Sequence, residues 1–428
     1  MTDKRTTLWR HADFRNLWFG LTASLFGSKV TAVALPLIAA VSLQATPFEM
    51  GVLVAAEGLP YLFISLFAGV WLDRSAKRPI LILVDVLRAA LLLLLPLGWA
   101  GDFLSFPLLL VVSLSIGACT VVSDIGSASY LPLLVDRKDL VEGNSKLELS
   151  SSASDIAGNA MGGGLLQVIS APFAVIVNSV TYLVSAVFTG LIRHRETKPA
   201  PVGPDEAAAV KPNMWREMAE GAQPVLRNKT VRTLVTATLV FNLFTLVIEP
   251  VFLIFITRTL GLEPFYIGLI FASAGAGALL GALIAGRASR LLGVGRAMVV
   301  SLVIAGLAAL LIPLATQLPK TEASLLIVLM HLIDSAMIIV YNVNQRSLRA
   351  AVTPDHLQGR MNATIRMAVM GVAPVGALTG GFLGGAIGAQ QTLVLGAFGV
   401  LLAGVVILLS GVRSVREIPD AEPEPVTV

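Results

Sequence analysis

Twelve predominantly apolar stretches, each long enough to cross a bilayer, recur along this chain. They lie at about 16–43, 48–72, 79–99, 104–130, 147–170 and 172–192, and then at about 232–257, 265–286, 296–317, 323–347, 362–388 and 391–412. Each covers about 30 Å of hydrocarbon at about 1.5 Å per residue. Backbone in hydrocarbon must satisfy its own hydrogen bonds, and runs of this length do so as helices. The expected class is therefore an all-α membrane protein of twelve transmembrane helices, with both termini on one side. Composition agrees. The 428 residues are 55% hydrophobic and 14% charged, with a mean hydropathy of +0.81. A soluble domain carries roughly 25% charged residues, so lipid must cover much of the exterior.

The charges choose the side. With the N-terminus cytoplasmic, all Lys and Arg except Lys29, Arg258 and Lys320 fall in or beside cytoplasmic segments, as the positive-inside bias requires. This accounts for the pI near 9.3 and argues against a nucleic-acid partner, since the formal net charge is only +4. The basic start, followed by a long apolar run, predicts an uncleaved first helix. Cys119 is the single cysteine, so no disulfide or Cys-ligated metal site forms within one chain. The segment 193–230 is the long hydrophilic stretch. It contains KPAPVGPDEAAAVKP, a linker composition, with a short amphipathic helix expected near Trp215. The expected organisation is a six-helix bundle over 1–192, a cytoplasmic linker over 193–230, and a second bundle with a cytoplasmic tail over 231–428.

The two halves repeat. TPFEMGVL at 46–53 returns as EPFYIGLI at 263–270, an offset that places Pro47 on Pro264. The same offset places Gly51 on Gly268, Gly58 on Gly275 and Gly69 on Gly286, and puts Asp139-Leu140 on His356-Leu357. Two parallel halves related by an axis along the membrane normal, with a substrate site between them, would give this pattern.

Between the second and third apolar runs stands GVWLDRSAKRP, Gly69 to Pro79. Here the chain resembles the major facilitator superfamily, whose loop at this place reads roughly G-x-x-x-D-R-x-x-R-R/K. Gly69, Asp73, Arg74, Lys77 and Arg78 match. The resemblance implies a conformational latch. Gly69 would allow close helix approach, and Asp73 would face a helix N-terminus. Arg74, Lys77 and Arg78 would bind partner carboxylates or anionic lipid. The second half keeps Gly286 but has Arg290 where the aspartate would repeat. LWRHADFRNLWFG, ASYLPLLVDRKDLVEGNS and RAAVTPDHLQGRMNA, with Asp85 and Arg88 in DVLRA, are similar to the branch holding bacterial macrolide-type drug exporters and the enterobactin exporter. The likeness covers essentially the whole chain. It departs from drug–proton antiporters on the fourth helix, which lacks their arginine, and on the fifth, where Gly158-Asn159 stands for Gly-Pro. The small-residue runs at 157–166 and 371–385 read equally as helix packing.

Ionisable residues inside spans are the candidate functional groups, since a charge at mid-bilayer costs about 3 kcal/mol or more unless paired or wetted. They are Lys29, Glu57, Asp124, Asp155, Glu249, His331 and Asp334. The resemblance places helices 1, 4, 7 and 10 around a central cavity. Glu57, Glu249 and Asp334 are therefore candidates for substrate binding or proton coupling, with Lys29, Asp124 and His331 beside them. Lys29 could equally be the structural partner of Glu57. Asp85, Arg88 and Asp155, near the cytoplasm, read as structural charge pairs. No spacing supports a metal site, and no nucleophile elbow or phosphate loop appears, so neither an enzyme nor a cofactor is expected. The resemblance implies a multi-pass protein of the bacterial cytoplasmic membrane, sufficient as a monomer. It would export an amphipathic organic molecule, a drug or siderophore-like metabolite, against protons by alternating access. Uptake or lipid flipping on the same fold, and a nontransporting scaffold or sensor, are the competing functions.

Overall fold

The computed structural model describes residues 8–73, 75–136, 139–194, 196, 227–353 and 355–418. Of Asp73 and Asp155 it describes the backbone alone, and Arg74, Trp215 and most of the 193–230 segment lie outside the described residues. Among the described residues are twelve long α-helices. In the first half they are α1 (Ala12–Leu37), α2 (Pro47–Asp73), α3 (Lys77–Ala100), α4 (Phe106–Leu134), α5 (Leu140–Val168) and α6 (Ala171–Gly190). The second half has α7 (Lys229–Ile254), α8 (Pro264–Leu292), α9 (Val294–Leu311), α10 (Lys320–Ala351), α11 (Asp355–Ala386) and α12 (Ala389–Leu408).

Eleven of these helices have both the length and the apolarity to cross a membrane. The exception is α5, whose serines, glycines, Glu142, Lys146, Asp155 and Asn159 dilute its apolar residues. Both α5 and α11 start two turns before their expected apolar boundaries. Hydropathy marks where a helix becomes apolar, and a polar helical turn can precede that point.

Local chemistry sets the helix ends. At the start of α2, Thr46 and Glu49 form a reciprocal cap. The Thr46 amide donates to Glu49 Oε2 at 2.7 Å, and the Glu49 amide donates to Thr46 Oγ1 at 3.2 Å. Helix α1 ends in a π-helical turn at Ile38–Ser42, and α7 ends in another at Phe255–Thr259. The offset that carries Pro47 onto Pro264 also carries the first of these turns onto the second.

The described chain divides into two compact units. One comprises Met1–Glu206 and Leu262–Ala272, the other Ala207–Gly261 and Ser273–Val428. In the first, α1 packs on α5 and α6, α3 on α4 and α6, and α2 on α4. In the second, α7 packs on α11 and α12, and α9 on α10 and α12. Helix α8 meets α10 where Gly277 lies under Leu332 and Ser335. Helix for helix, the pairing pattern is the same.

The repeated crossings are filled differently. Where α1 meets α6, Gly27 gives the room, and a Cβ there would overlap Thr181 and Asn178. Where α7 meets α12, the position matching Gly27 is Phe244, and the room comes from Gly399 on the other helix. Small residues let helices approach closely in lipid, and either partner can supply them.

Candidate substrate and coupling site

In the second unit Glu249 lies on α7, and His331 and Asp334 lie on α10. Two contacts fix the register of these helices. Near one end, Thr238 Oγ1 and the Tyr341 hydroxyl lie 2.9 Å apart. Near the other, the rings of Phe252 and His331 stack at 5.5 Å with an interplanar angle of 14°. Rising along α7 therefore means descending along α10, so the helices run antiparallel. Glu249 lies three positions before Phe252, and Asp334 three positions after His331. Each is displaced about 4.5 Å from the stacked rings toward the Thr238–Tyr341 contact. By helical rise, positions 249 and 334 thus stand at about the same height on two antiparallel helices, well inside both spans.

The first unit has a cavity of about 190 Å³ lined by α1, α2, α4 and α6. Glu57 and Tyr61 enter it from α2, Ser113 and Thr120 from α4, and Tyr182 from α6. The Tyr61 hydroxyl donates to the Asp124 carboxylate, which connects Asp124 to the cavity wall through a residue that carries no signal of its own in the sequence. The Tyr182 hydroxyl lies 3.0 Å from Ser28 Oγ. Lys29 is positioned by α5, with its Cβ 2.7 Å from where a Cβ on Gly158 would stand. Among the described residues no cluster of His, Cys, Asp or Glu has the geometry of a metal site.

The signature loop has a mixed outcome. The motif implies that Gly69 allows a close helix approach. In this conformation a Cβ added there would meet no described atom within 4 Å, and the same holds at Gly286. Among the described residues, neither glycine is in a close helix contact in this conformation. For Arg78 the motif implies partner carboxylates or lipid. Its Nε donates to the Thr189 carbonyl at 3.3 Å, and its Nη2 to the Gly190 carbonyl. These carbonyls belong to the last turn of α6, where a guanidinium is favoured. The start of α3 is closed by Glu196, whose carboxylate accepts from the Lys77 amide at 2.6 Å and the Arg78 amide at 2.7 Å. A carboxylate facing the first amides of a helix is well placed. Glu196 has no local signature in the sequence, because it lies 118 residues from the amide it caps. Arg74 and the side chains of Asp73 and Asp155 fall outside the described residues.

Asp85 and Arg88 form a buried ion pair, their side chains 4% and 3% exposed. Arg88 also donates to Ser123 Oγ at 3.0 Å and lies 4.2 Å from the centre of the Tyr182 ring. The pair therefore ties α3 to α4 and to the cavity wall on α6.

A sequence model described as transmembrane secretion effector matches residues 6–426. An uncharacterized MFS-type transporter of Bacillus subtilis strain 168, YvqJ, is 23% identical over 363 residues, covering 83% of this chain and 82% of its own. A second such transporter from the same organism, YfiS, is 27% identical over 276 residues, or 62% of each chain. Among solved structures, a bacterial homologue of the iron transporter ferroportin in an inward-facing state superposes with a TM-score of 0.71 at 14% identity, covering 92% of this chain and 98% of that one. A bacterial homologue of the human lysosomal transporter Spinster, inward-facing and occupied, gives a TM-score of 0.68 at 14% identity, with 94% and 97% covered. At such identities the likeness speaks for the fold.

Proposed function

Because the chain belongs to the transmembrane secretion effector family of MFS-type transporters, we propose that it exports an amphipathic organic molecule in exchange for protons by alternating access. The protein would act as a monomer in the bacterial cytoplasmic membrane. It would carry six-helix halves at 1–192 and 231–428, α5 completing twelve crossings, and a cytoplasmic connection over 193–230. The observation that carries the reading is the level placement of Glu249 and Asp334 on α7 and α10. Ionising a carboxyl inside a span costs a few kcal/mol. A proton or a substrate cation relieves that cost, and two ligands that relieve the same cost compete, which is the thermodynamic basis of exchange. His331 is an adjunct to this site. Glu57, Asp124 and Lys29 shape the substrate cavity of the first unit, and Asp73 with Arg74, Lys77 and its loop serves as the latch. Everted membrane vesicles overexpressing the protein test the direction. Proton-driven accumulation of a lipophilic substrate is expected, with collapse on adding a protonophore. Accumulation only in right-side-out vesicles would make the protein an uptake permease.

A further inference from the structure

The second unit holds a cavity of about 580 Å³ that lies apart from the candidate coupling residues. It opens between the N-terminal half of α7, the last turns of α10 and the first turns of α11. Arg346, Arg349 and Arg366 line it, and among the described residues no carboxylate does. Amides complete the polar wall: Asn242, Asn342, Gln345, Gln358 and Asn362. Phe241, Met361, Ile365 and Val369 make the opposite character, an apolar strip along the same cavity.

Positive-inside placement alone would put arginines at this end of α10. It would not by itself bury an amide beside them without a partner. Gln345 is 2% exposed, and among the described residues its Nε2 meets no hydrogen-bond acceptor. A buried donor left unmade costs about 1–3 kcal/mol, so an acceptor brought into the cavity beside it would be favoured. The Arg349 guanidinium is braced by Asn362 Oδ1 at 3.1 Å, and among the described residues neither Arg346 nor Arg349 has an ion-pair partner. Under the offset that relates the two halves, Gln345 matches Ala128, Arg346 matches Ser129 and Arg349 matches Pro132. The fold repeats there without the cationic wall, so packing does not require it.

We infer that this cavity binds the anionic head of an amphipathic molecule, a phosphate or carboxylate held by Arg346, Arg349 and Gln345 Nε2, with its apolar part along Phe241 and Ile365. Guanidinium groups are suited to such oxyanions through paired, charge-assisted hydrogen bonds. The head could belong to a membrane phospholipid or to a soluble amphipath. The inference does not depend on the direction or coupling of transport.

Calorimetry on the purified full-length protein in a nonionic detergent tests it, with dihexanoyl phosphatidic acid as the probe and dihexanoyl phosphatidylcholine as the zwitterionic control. The phosphatidic acid should bind at least about tenfold more tightly than the control and weaken as salt is raised. Arg346→Gln changes an exposed side chain and should weaken binding about tenfold or more. Gln345→Glu keeps the side-chain volume, replaces the orphaned donor by an acceptor and should abolish binding. Equal affinity for both probes, or undiminished phosphatidic acid binding in both variants, would overturn the inference. Phosphorus assay of lipid extracted from the purified proteins separates the sources. Anionic phospholipid retained by the wild type and lost from Arg346→Gln assigns a lipid head. Equal content, with the probe still discriminating the variant, assigns a soluble amphipath.

Discussion

Corresponding positions on α3 and α9 solve the same packing problem with opposite chemistry. On α3, Asp85 and Arg88 are buried as an ion pair one turn apart. On α9 the two matching positions are Leu302 and Ala305, both fully buried in the apolar core of the second unit. The fold therefore does not need charge at this place. A buried pair rarely adds net stability over well-packed apolar residues, because desolvation offsets the attraction. What the pair adds in the first unit is orientation. Arg88 lies over the Tyr182 ring, and the Tyr182 hydroxyl meets Ser28 on the cavity wall. The first unit uses its internal polarity to hold a cavity wall in place. The second has Leu302 and Ala305 at the matching places on α9, carries Glu249, His331 and Asp334 on α7 and α10, and gathers Arg346, Arg349 and Arg366 in the basic cavity.

The largest expected effect comes from breaking that pair on one side. Arg88→Ala leaves Asp85 buried without its cation and should destabilise the protein by about 3–5 kcal/mol, read as loss of folded protein in detergent thermal unfolding. The double variant Asp85→Leu with Arg88→Ala copies α9 and should recover most of that loss. A double variant as unstable as the single would show that the two units do not share this packing after all.

A smaller effect is expected at the small-residue crossings. Gly27→Leu and Gly399→Leu each force a side chain into space already filled, by Thr181 in one unit and Phe244 in the other. Each should cost about 1–3 kcal/mol. Gly69→Ala and Gly286→Ala enter open space and should stay within about 0.5 kcal/mol. A uniform response across all four glycines would erase the distinction between crossings and the signature loop.

Much of this is legible in the sequence. The apolar runs mark the helices, and the offset between TPFEMGVL and EPFYIGLI anticipates a repeat that extends to the π-helical turns ending α1 and α7. Residue type and position are enough to pick out Asp85, Arg88, Glu249 and Asp334, because charge inside a span is rare and costly. What stays hidden depends on helix rotation and on distant partners. The caps given by Glu196, the reach of Tyr61 to Asp124 and the Phe252–His331 stack each join residues far apart in the chain. Arg346, Arg349 and Arg366 read as ordinary loop charge until the fold gathers them with Gln345 around one cavity. Gly69 matches the motif, and among the described residues a Cβ there would meet no atom within 4 Å.

The contrast between the units is sharpest at the candidate coupling level. The offset that carries the first unit onto the second places Ala32 on Glu249 and Gly117 on Asp334, so the second unit alone has carboxyls there. The decisive measurement is proton-driven substrate transport against pH in proteoliposomes containing Glu249→Gln, Asp334→Asn and, from the first unit, Glu57→Gln. The account predicts that at least one of Glu249→Gln and Asp334→Asn loses active transport while retaining downhill substrate exchange, and that Glu57→Gln keeps proton coupling. Proton-driven transport with an unaltered pH profile in both Glu249→Gln and Asp334→Asn would contradict it.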